Sequence, residues 1–433
     1  MPAIKFNAPR GTNDILPSES HSWQMAEAAS RRILRLYGYR EIRTPYFEES
    51  ELFVRSVGQT SDIVQKQMLH LAPQGTAEAP DGVRSKLVLR PEGTAAVARA
   101  YIQHNLDKKE NLSKLFYWGP MFRGERPQKG RLRQFHQIGV EAIGPNTTSP
   151  FLDAEVMALS LQILTDLGLK DFNLQINTLG SLEDKKNFAQ QLRRQLENKR
   201  HQLCPDCQDR FQRNVFRILD CKNKDCRRTV HQLNIGDDHL APESRDYFQQ
   251  VCEALQVIGV PFQVDPFMVR GLDYYTHTVF EITTTTLGSQ DALGAGGRYN
   301  NLIKQIGGGP VDAVGFALGL ERILLARPQS PEPSSAPLLD FYMISLDNNV
   351  LPKSFELVNR LRQHNLSADL STRISSLKSQ MRTANKSGAR LVGIRGTEED
   401  KNASITVKDM QTGHQRSVAE THFIQTIKAV LQQ

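Results

Sequence analysis

Apolar positions in this chain fall in short, regularly spaced runs separated by polar turns. Ala26, Ala29, Ile33 and Leu36 recur at three- and four-residue spacing, the period of one helix face. The pattern predicts a helix that begins at Pro17-Ser18-Glu19, where proline suits the first turn, and stops at Gly38. The run REIRTPYFE that follows reads as a strand, and Pro45 inside it argues for an edge or interface position. KLVLRPEG (86–93), KLFYWGPMFRGE (114–125) and RQFHQIGVEAIG (133–144) also read as strands. The last two flank RPQKGRLR, which predicts an antiparallel pair with a long basic connection. RGLDYYTHTVFE (270–281) closes in period-two alternation, Thr276, Thr278 and Phe280 against His277, Val279 and Glu281.

Residues 182–250 have another texture, polar and helical, and are expected to form an insertion within a larger domain spanning 1–325. The stretch ARPQSPEPSSAP (326–337) cannot build a helix or a central strand and reads as a linker. Beyond it, 338–433 predicts a small α/β domain. It holds strands at FYMISL (341–346) and RLVGIRG (390–396), two helices, and a hairpin turning at Thr412-Gly413.

Bulk composition narrows the class. A chain of 433 residues has room for two to four domains, and 39% hydrophobic with 23% charged residues is ordinary for a globular protein. No apolar run is long enough to cross a membrane, and the N-terminal stretch has no apolar signal core. Five cysteines in this length do not make a disulfide scaffold, so a reduced, cytoplasmic state is expected. The net charge of +7 is compatible with a polyanionic partner without requiring one. Residues 338–433 carry 13 Lys/Arg against 9 Asp/Glu.

Three stretches carry candidate chemistry. In FRGERPQKGRLRQFHQIGVE (122–141), Arg123, Arg126, Lys129, Arg131 and Arg133 crowd a loop between strands. Phe135, Gln137, Gly139 and Glu141 then share one strand face, a poor core but a good polar pocket floor. Arg123 ends the partner strand, where a guanidinium can clasp a phosphate. In VGFALGLERILL (314–325), Gly315, Ala317 and Gly319 leave room for a flat ligand, or simply for close strand packing. In RGLDYYTHTVFE, Arg270 with Tyr274 and Tyr275 reads either as an anion clamp over an aromatic wall or as amphipathic packing. Separately, Cys204-x2-Cys207 and Cys221-x4-Cys226 have spacing fit for tetrahedral zinc, or else read as reduced thiols in a helical insertion. No metal ligand is assigned to the pocket itself.

These stretches resemble the three motifs of class II aminoacyl-tRNA synthetases: GYREIRTPYFE the first, FRGERP with RQFHQIGVE the second, GFALGLERILL the third. LRPEGT (89–94), RGLDYYTHTVFE and AGGRYNNL (295–302) single out the histidyl-tRNA synthetase family, with coverage from about residue 5 to the C-terminus. The resemblance implies an α+β fold, an antiparallel-sheet catalytic domain with a helical insertion and a C-terminal α/β anticodon-binding domain. It implies ATP-dependent attachment of L-histidine to tRNA(His) through histidyl-adenylate, with Mg2+, in a cytoplasmic homodimer without membrane association. By the same resemblance, Arg270 and Arg123 are catalytic cations between the histidine carboxylate and the α-phosphate. Arg123, Glu125, Arg131, Phe135 and Arg322 bind ATP, with Phe135 stacked on adenine and Arg322 on the γ-phosphate. Glu92, Thr94 and Gln137 hold the substrate amino group, while Glu141 and Tyr275, beside Tyr274, hold the imidazole. Asn300 stands where the family has an acid. The alternative is the family's histidine-sensing paralogue, a regulatory subunit of ATP phosphoribosyltransferase. That paralogue is expected to lose the ATP-clasping arginines and the C-terminal domain, which this chain keeps.

Overall fold

The computed structural model of the chain describes residues 6–72, 86–288, 291–328 and 339–432. The chain divides into two compact units, Met1–Pro328 and Gln329–Gln433. Of the expected linker, residues 329–337 lie outside the described residues.

The first unit is built on an eight-stranded sheet. Its strands are β1 (Arg40–Glu41), β2 (Ser113–Phe122), β3 (Gln134–Gly144), β4 (Asn173–Thr178), β5 (Gln263–Val264), β6 (Thr276–Thr283), β7 (Ala292–Arg298) and β8 (Asp312–Gly319). Their spatial order is β1-β2-β3-β8-β7-β6-β4-β5. The six central strands pair antiparallel, and only the two short edge strands run parallel to their neighbours. The expected antiparallel pair is β2 with β3, in a register that sets Tyr117 opposite Gly139 and Leu115 opposite Glu141.

Alternation along β3 divides the two faces. Ile138, Val140 and Ala142 pack with Met157, Leu164, Val251 and Leu255 in one core. Those partners lie on the helices Pro150–Asp166 and Pro242–Val257, each opening on proline. Fully burying such side chains contributes about 1.5–3 kcal/mol each. The alternate residues of β3 face the opposite side, where the cavity lies. Within the core Asp153 and Arg298 form a wholly buried ion pair. The Asp153 carboxylate also accepts from Tyr247 OH at 3.0 Å and Thr278 Oγ1 at 2.7 Å. Asn300, the departure from the family's acid, accepts from Arg298 Nη1 at 3.2 Å and donates to Thr148 Oγ1 at 3.0 Å.

Some elements differ from expectation. The helix spans Pro17–Leu36, but its buried stripe is Ala26, Ser30, Ile33 and Leu34, and Leu36 is 72% exposed. At roughly 100° per residue Leu36 falls off that stripe. The single strand expected at REIRTPYFE is two, β1 and Phe47–Glu49, and they belong to different sheets. Pro45 lies in the break between them. Pairing of Phe47–Glu49 with Leu87–Leu89 builds a separate three-stranded sheet. The insertion has its own small core running from Phe188 to Leu233, whereas Pro242–Val257 belongs to the core of the large sheet. All four paired-spacing cysteines lie in the insertion.

The second unit carries a five-stranded mixed sheet of β9 (Leu339–Ser345), β10 (Ala368–Leu370), β11 (Ala389–Arg395), β12 (Ser404–Asp409) and β13 (Gln415–Ala419), ordered β10-β9-β11-β12-β13. The hairpin β12–β13 turns where expected, with Gly413 at φ +76 donating to the Asp409 carbonyl at 2.9 Å. The edge strand β10 and the last helix, Phe423–Leu431, were not read from the sequence. The side chains of Phe341 and Phe423 meet edge to face at 5.5 Å in this unit's own core.

Candidate active site

A cavity of about 430 Å³ opens over the sheet and gathers most of the sequence-predicted residues. Arg123, Arg270 and Arg322 all line it. Arg123 follows the last residue of β2, and its Nε donates to the Pro91 carbonyl at 2.9 Å. Its guanidinium carbon sits 5.0 Å from the centre of the Phe135 ring, so the expected adenine plate already carries a stacked cation. Arg322, in the first turn of the helix Leu320–Ala326, donates to the carbonyls of Gly130 at 2.9 Å and Ala292 at 2.7 Å. The basic loop is thereby tied to the start of β7. Its positive charges do not form one cluster: Arg131 is ion-paired to Glu125, and Arg126 is exposed.

Arg270 approaches from the segment before β6, and its Nη1 meets Glu281 Oε1 at 2.6 Å. Burial pulls its pKa down, but Glu281 and the Tyr275 phenol more than offset that, so the cation is secured. Its Nε is buried with no partner, as is Gln137 Oε1, and both residues line the cavity. A buried donor and a buried acceptor left unmatched in the lining of one cavity suit a polar ligand.

The carboxylate of Glu92 caps the helix Thr94–Gln103, accepting from the backbone N–H of Thr94 at 2.7 Å and of Ala95 at 2.9 Å. Burial raises its pKa against those two donors. Glu141 is fully buried and does not itself line the cavity. Thr94 Oγ1 donates to one of its oxygens at 2.7 Å, and Tyr299 OH donates to the other. Both donors line the cavity, so the expected imidazole partner lies one hydroxyl behind the wall. Burial raises its pKa to about 8, with the Tyr299 and Thr94 bonds pulling the other way. Thr94, expected to hold a substrate amino group, spends its hydroxyl on this carboxylate.

Three phenols complete the wall. The rings of Tyr274 and Tyr275 lie 4.6 Å apart, and that of Tyr299 is 5.4 Å from Tyr274 and 6.4 Å from Tyr275. Burial pushes the Tyr275 hydroxyl up to about 12, so it stays a neutral phenol able to donate or accept. The small residues have a use the sequence did not disclose. A Cβ on Gly315 would stand 2.2 Å from Glu141 Oε2, and one on Gly139 would stand 2.1 Å from the Tyr117 ring. Gly315 therefore houses a carboxylate from the neighbouring strand, while Ala317 and Gly319 face the cavity. His136, on the opposite face of β3, pairs with Glu321 at 2.9 Å and packs edge to face on Trp23.

Sequence reasoning missed Tyr299, Tyr117 and Glu281. The first lies inside AGGRYNNL beside its two glycines, and the third closes RGLDYYTHTVFE as one alternate of its period-two run. Asp220 and Lys222 of the insertion also line the cavity, and nothing in their local sequence marks them.

Comparisons with known proteins agree with this geometry. Residues 11–323 match the family model for histidyl-tRNA synthetase, and residues 340–430 match that for an anticodon binding domain. A histidine–tRNA ligase of Halothermothrix orenii is 42% identical over 99% of this chain and 100% of its own length. That of Moorella thermoacetica is 44% identical over 95% of each. The crystal structure of apo S. aureus histidyl-tRNA synthetase superposes with a TM-score of 0.78 at 34% identity, covering 98% of this chain and all of that one.

Proposed function

The chain belongs to the histidyl-tRNA synthetase family and attaches histidine to tRNA with ATP through a histidyl-adenylate, and on that premise we propose how its cavity does so. The observation that carries the reading is the convergence of Arg123, Arg270 and Arg322 on a cavity also walled by Tyr274, Tyr275 and Tyr299. Adenylate formation brings two anions together. A histidine carboxylate oxygen bonds to the α-phosphorus of ATP, and the bond to the departing pyrophosphate breaks. Arg270 and Arg123 neutralise the incoming carboxylate and the α-phosphoryl oxygens, where negative charge gathers in the transition state. Arg322 takes the γ-phosphate, and the adenine ring lies against Phe135 and the Arg123 guanidinium.

Glu92 and Gln137 hold the substrate amino group, and the Tyr275 hydroxyl accepts from one N–H of the substrate's imidazolium ring. The other imidazole nitrogen, as N–H, replaces the Tyr299 hydroxyl against Glu141, an exchange of one donor for another. Mg2+ enters with ATP. Among the described residues the only cluster of three or more metal-binding side chains is the cysteine group in the insertion. When bound with ATP, the ion would be held by phosphate oxygens with Glu125 as a cavity carboxylate, and would supply charge neutralisation on the leaving pyrophosphate.

The second unit carries the anticodon contacts, in keeping with its family match and its excess of lysine and arginine. Tyr46 and Phe47, each about half exposed, support packing of the Pro45 segment against a second copy in an isologous homodimer. The enzyme works in the cytoplasm, where tRNA and ATP are at hand. Among the described residues no helix is long and apolar enough to cross a membrane. Arg123, Arg270, Arg322 and the second unit are all present, which disfavours a purely regulatory role. ATP–pyrophosphate exchange with single amino acids tests the assignment: histidine alone should support it, and exchange driven by another amino acid would refute it.

A further inference from the structure

The insertion brings four sulfurs together from two separate stretches. The Sγ atoms of Cys204, Cys207, Cys221 and Cys226 all lie within 4.8 Å of one another. Cys204 occupies the position just before the helix Pro205–Arg213, and Cys207 sits in its first turn. Cys226 occupies the first turn of the helix Lys224–His231, held there by Asn223, whose Oδ1 accepts from the Cys226 N–H at 3.2 Å. The backbone N–H of Cys204 in turn donates to Cys226 Sγ at 3.1 Å. Such N–H···S bonds are common support for thiolates that ligate a metal.

We propose that these four cysteines bind one structural Zn2+ that closes the insertion and fixes one wall of the catalytic cavity. Four thiolates at about 2.3 Å from zinc stand about 3.8 Å apart along the edges of a tetrahedron. Cys204 and Cys221 already lie at 3.9 Å. A disulfide needs sulfurs at about 2.05 Å, and all five cysteines of the chain are free. Packing alone is a weaker account. The insertion's core has twelve buried residues, Cys207, Cys221 and Cys226 among them, and a core that small gains little from sulfur in place of a larger hydrocarbon side chain. Soft thiolates select zinc over the oxygen-loving Mg2+ that accompanies ATP. The Arg210 guanidinium beside Cys207 offsets part of the negative charge of a four-thiolate centre.

The link to the cavity runs through Cys221. Its two neighbours in sequence, Asp220 and Lys222, line the cavity, and Asp220 faces the charge of Arg270. The same part of the insertion docks on the catalytic unit through Arg217 to Asp62 at 2.7 Å and Asn214 to Asp273 at 2.9 Å. Metal loss frees the loop that carries Asp220 and Lys222.

The full chain, purified without chelator, should contain about one zinc per chain. Exchange with Co2+ should give the absorption of a tetrahedral thiolate site, and Cys221→Ser should abolish both. Because a serine variant can misfold, chelator-stripped wild type serves as the second sample. It should unfold at a lower temperature, expose four additional reactive thiols and recover on adding Zn2+ alone. A metal-free preparation that takes up no Co2+, or one in which the four cysteines are found as disulfides, overturns the site. These measurements stand whatever the cavity does. An unchanged KM for histidine in the stripped, folded protein would overturn the link between zinc and the cavity wall, where a severalfold rise is expected.

Discussion

Glu281 holds Arg270 by a 2.6 Å contact between Oε1 and Nη1, so the guanidinium is fixed before any substrate arrives. The two residues are eleven apart, one before β6 and one within it, and both line the cavity. A preorganised cation needs no reorientation when charge develops, which is what the role proposed for Arg270 requires. The bland reading of RGLDYYTHTVFE as amphipathic packing does not account for a buried Nε left without a partner.

Arg270→Ala should therefore slow adenylate formation by about 10²–10³-fold, with histidine affinity changed much less. Lysine should restore little, because a point charge cannot bridge carboxylate and phosphate with one rigid fork. Single-turnover kinetics separates this step from transfer to tRNA. Adenylate formation at the wild-type rate in the alanine variant would return Arg270 to a packing role.

Histidine binding should have a bell-shaped pH dependence. Free Glu141 stays protonated until about pH 8 and must ionise to receive an imidazolium. Between about 6.5, where a free imidazole titrates, and 8, the proton passes from carboxyl to ring and none is exchanged with solvent. Below that window binding releases a proton, and above it binding takes one up, so affinity falls on both sides. Glu141→Gln should remove the alkaline limb. Tyr299→Phe should move it upward, since a donor to the carboxylate is lost. The same raised pKa makes Glu141 favour the folded apo protein fully at low pH, an effect lost as pH rises through about 8. Calorimetric titration of histidine across this range decides the matter; a flat profile would exclude the exchange.

Asp153→Ala should destabilise the first unit by about 3–5 kcal/mol, since it leaves the Arg298 charge buried and unpaired. Replacing both members, as Asp153→Leu with Arg298→Met, should recover part of that loss. Urea denaturation of the single and double variants gives the comparison, and equal loss in both would remove charge burial as the cause.

A chain ending after residue 328 should keep histidine-dependent pyrophosphate exchange and lose efficient charging of tRNA. The cavity residues all precede that point, and the anticodon-domain match begins at 340. Charging by the full chain should also weaken with added salt, because phosphate contacts release counterions. Loss of exchange in a folded truncation would count against this division.

Sedimentation should give a dimer at assay concentrations. Tyr46→Lys with Phe47→Glu, which charges the half-exposed pair, should shift it toward monomer. An active monomeric wild type would refute the interface.

Much of the site was legible in short strings because strand alternation places side chains reliably on one face. Phe135, Gln137 and Glu141 could be assigned to one side of β3 with no knowledge of its neighbours. What could not be read was what comes next to that face. Gly315 suggests room for a ligand, yet the room is filled by Glu141 from the adjacent strand, which only the β3–β8 register reveals. Tyr299 meets Glu141 across 158 positions, and no local period encodes such a meeting. At REIRTPYFE, β-type residues were correctly seen, but whether a proline bends a strand or divides it between two sheets depends on partners far along the chain.

The position of β8 bears on how this protein is made. Strand β8 is the last of the large sheet to be synthesised, yet it lies in its middle, between β3 and β7. Until it leaves the ribosome, β1–β3 and β4–β7 cannot join into one sheet, and the inner edges of β3 and β7 have no partner. At about 5–20 residues per second, the interval from the end of β3 to the start of β8 lasts roughly ten to thirty seconds. Through that interval the open edge of β3 is available to any extended segment, including the same strand of a neighbouring nascent chain. The insertion and the helix Pro242–Val257 are translated in the meantime, so they can fold while the cavity floor is still incomplete. The closing strand thus both completes the cavity floor and covers the inner edges of β3 and β7.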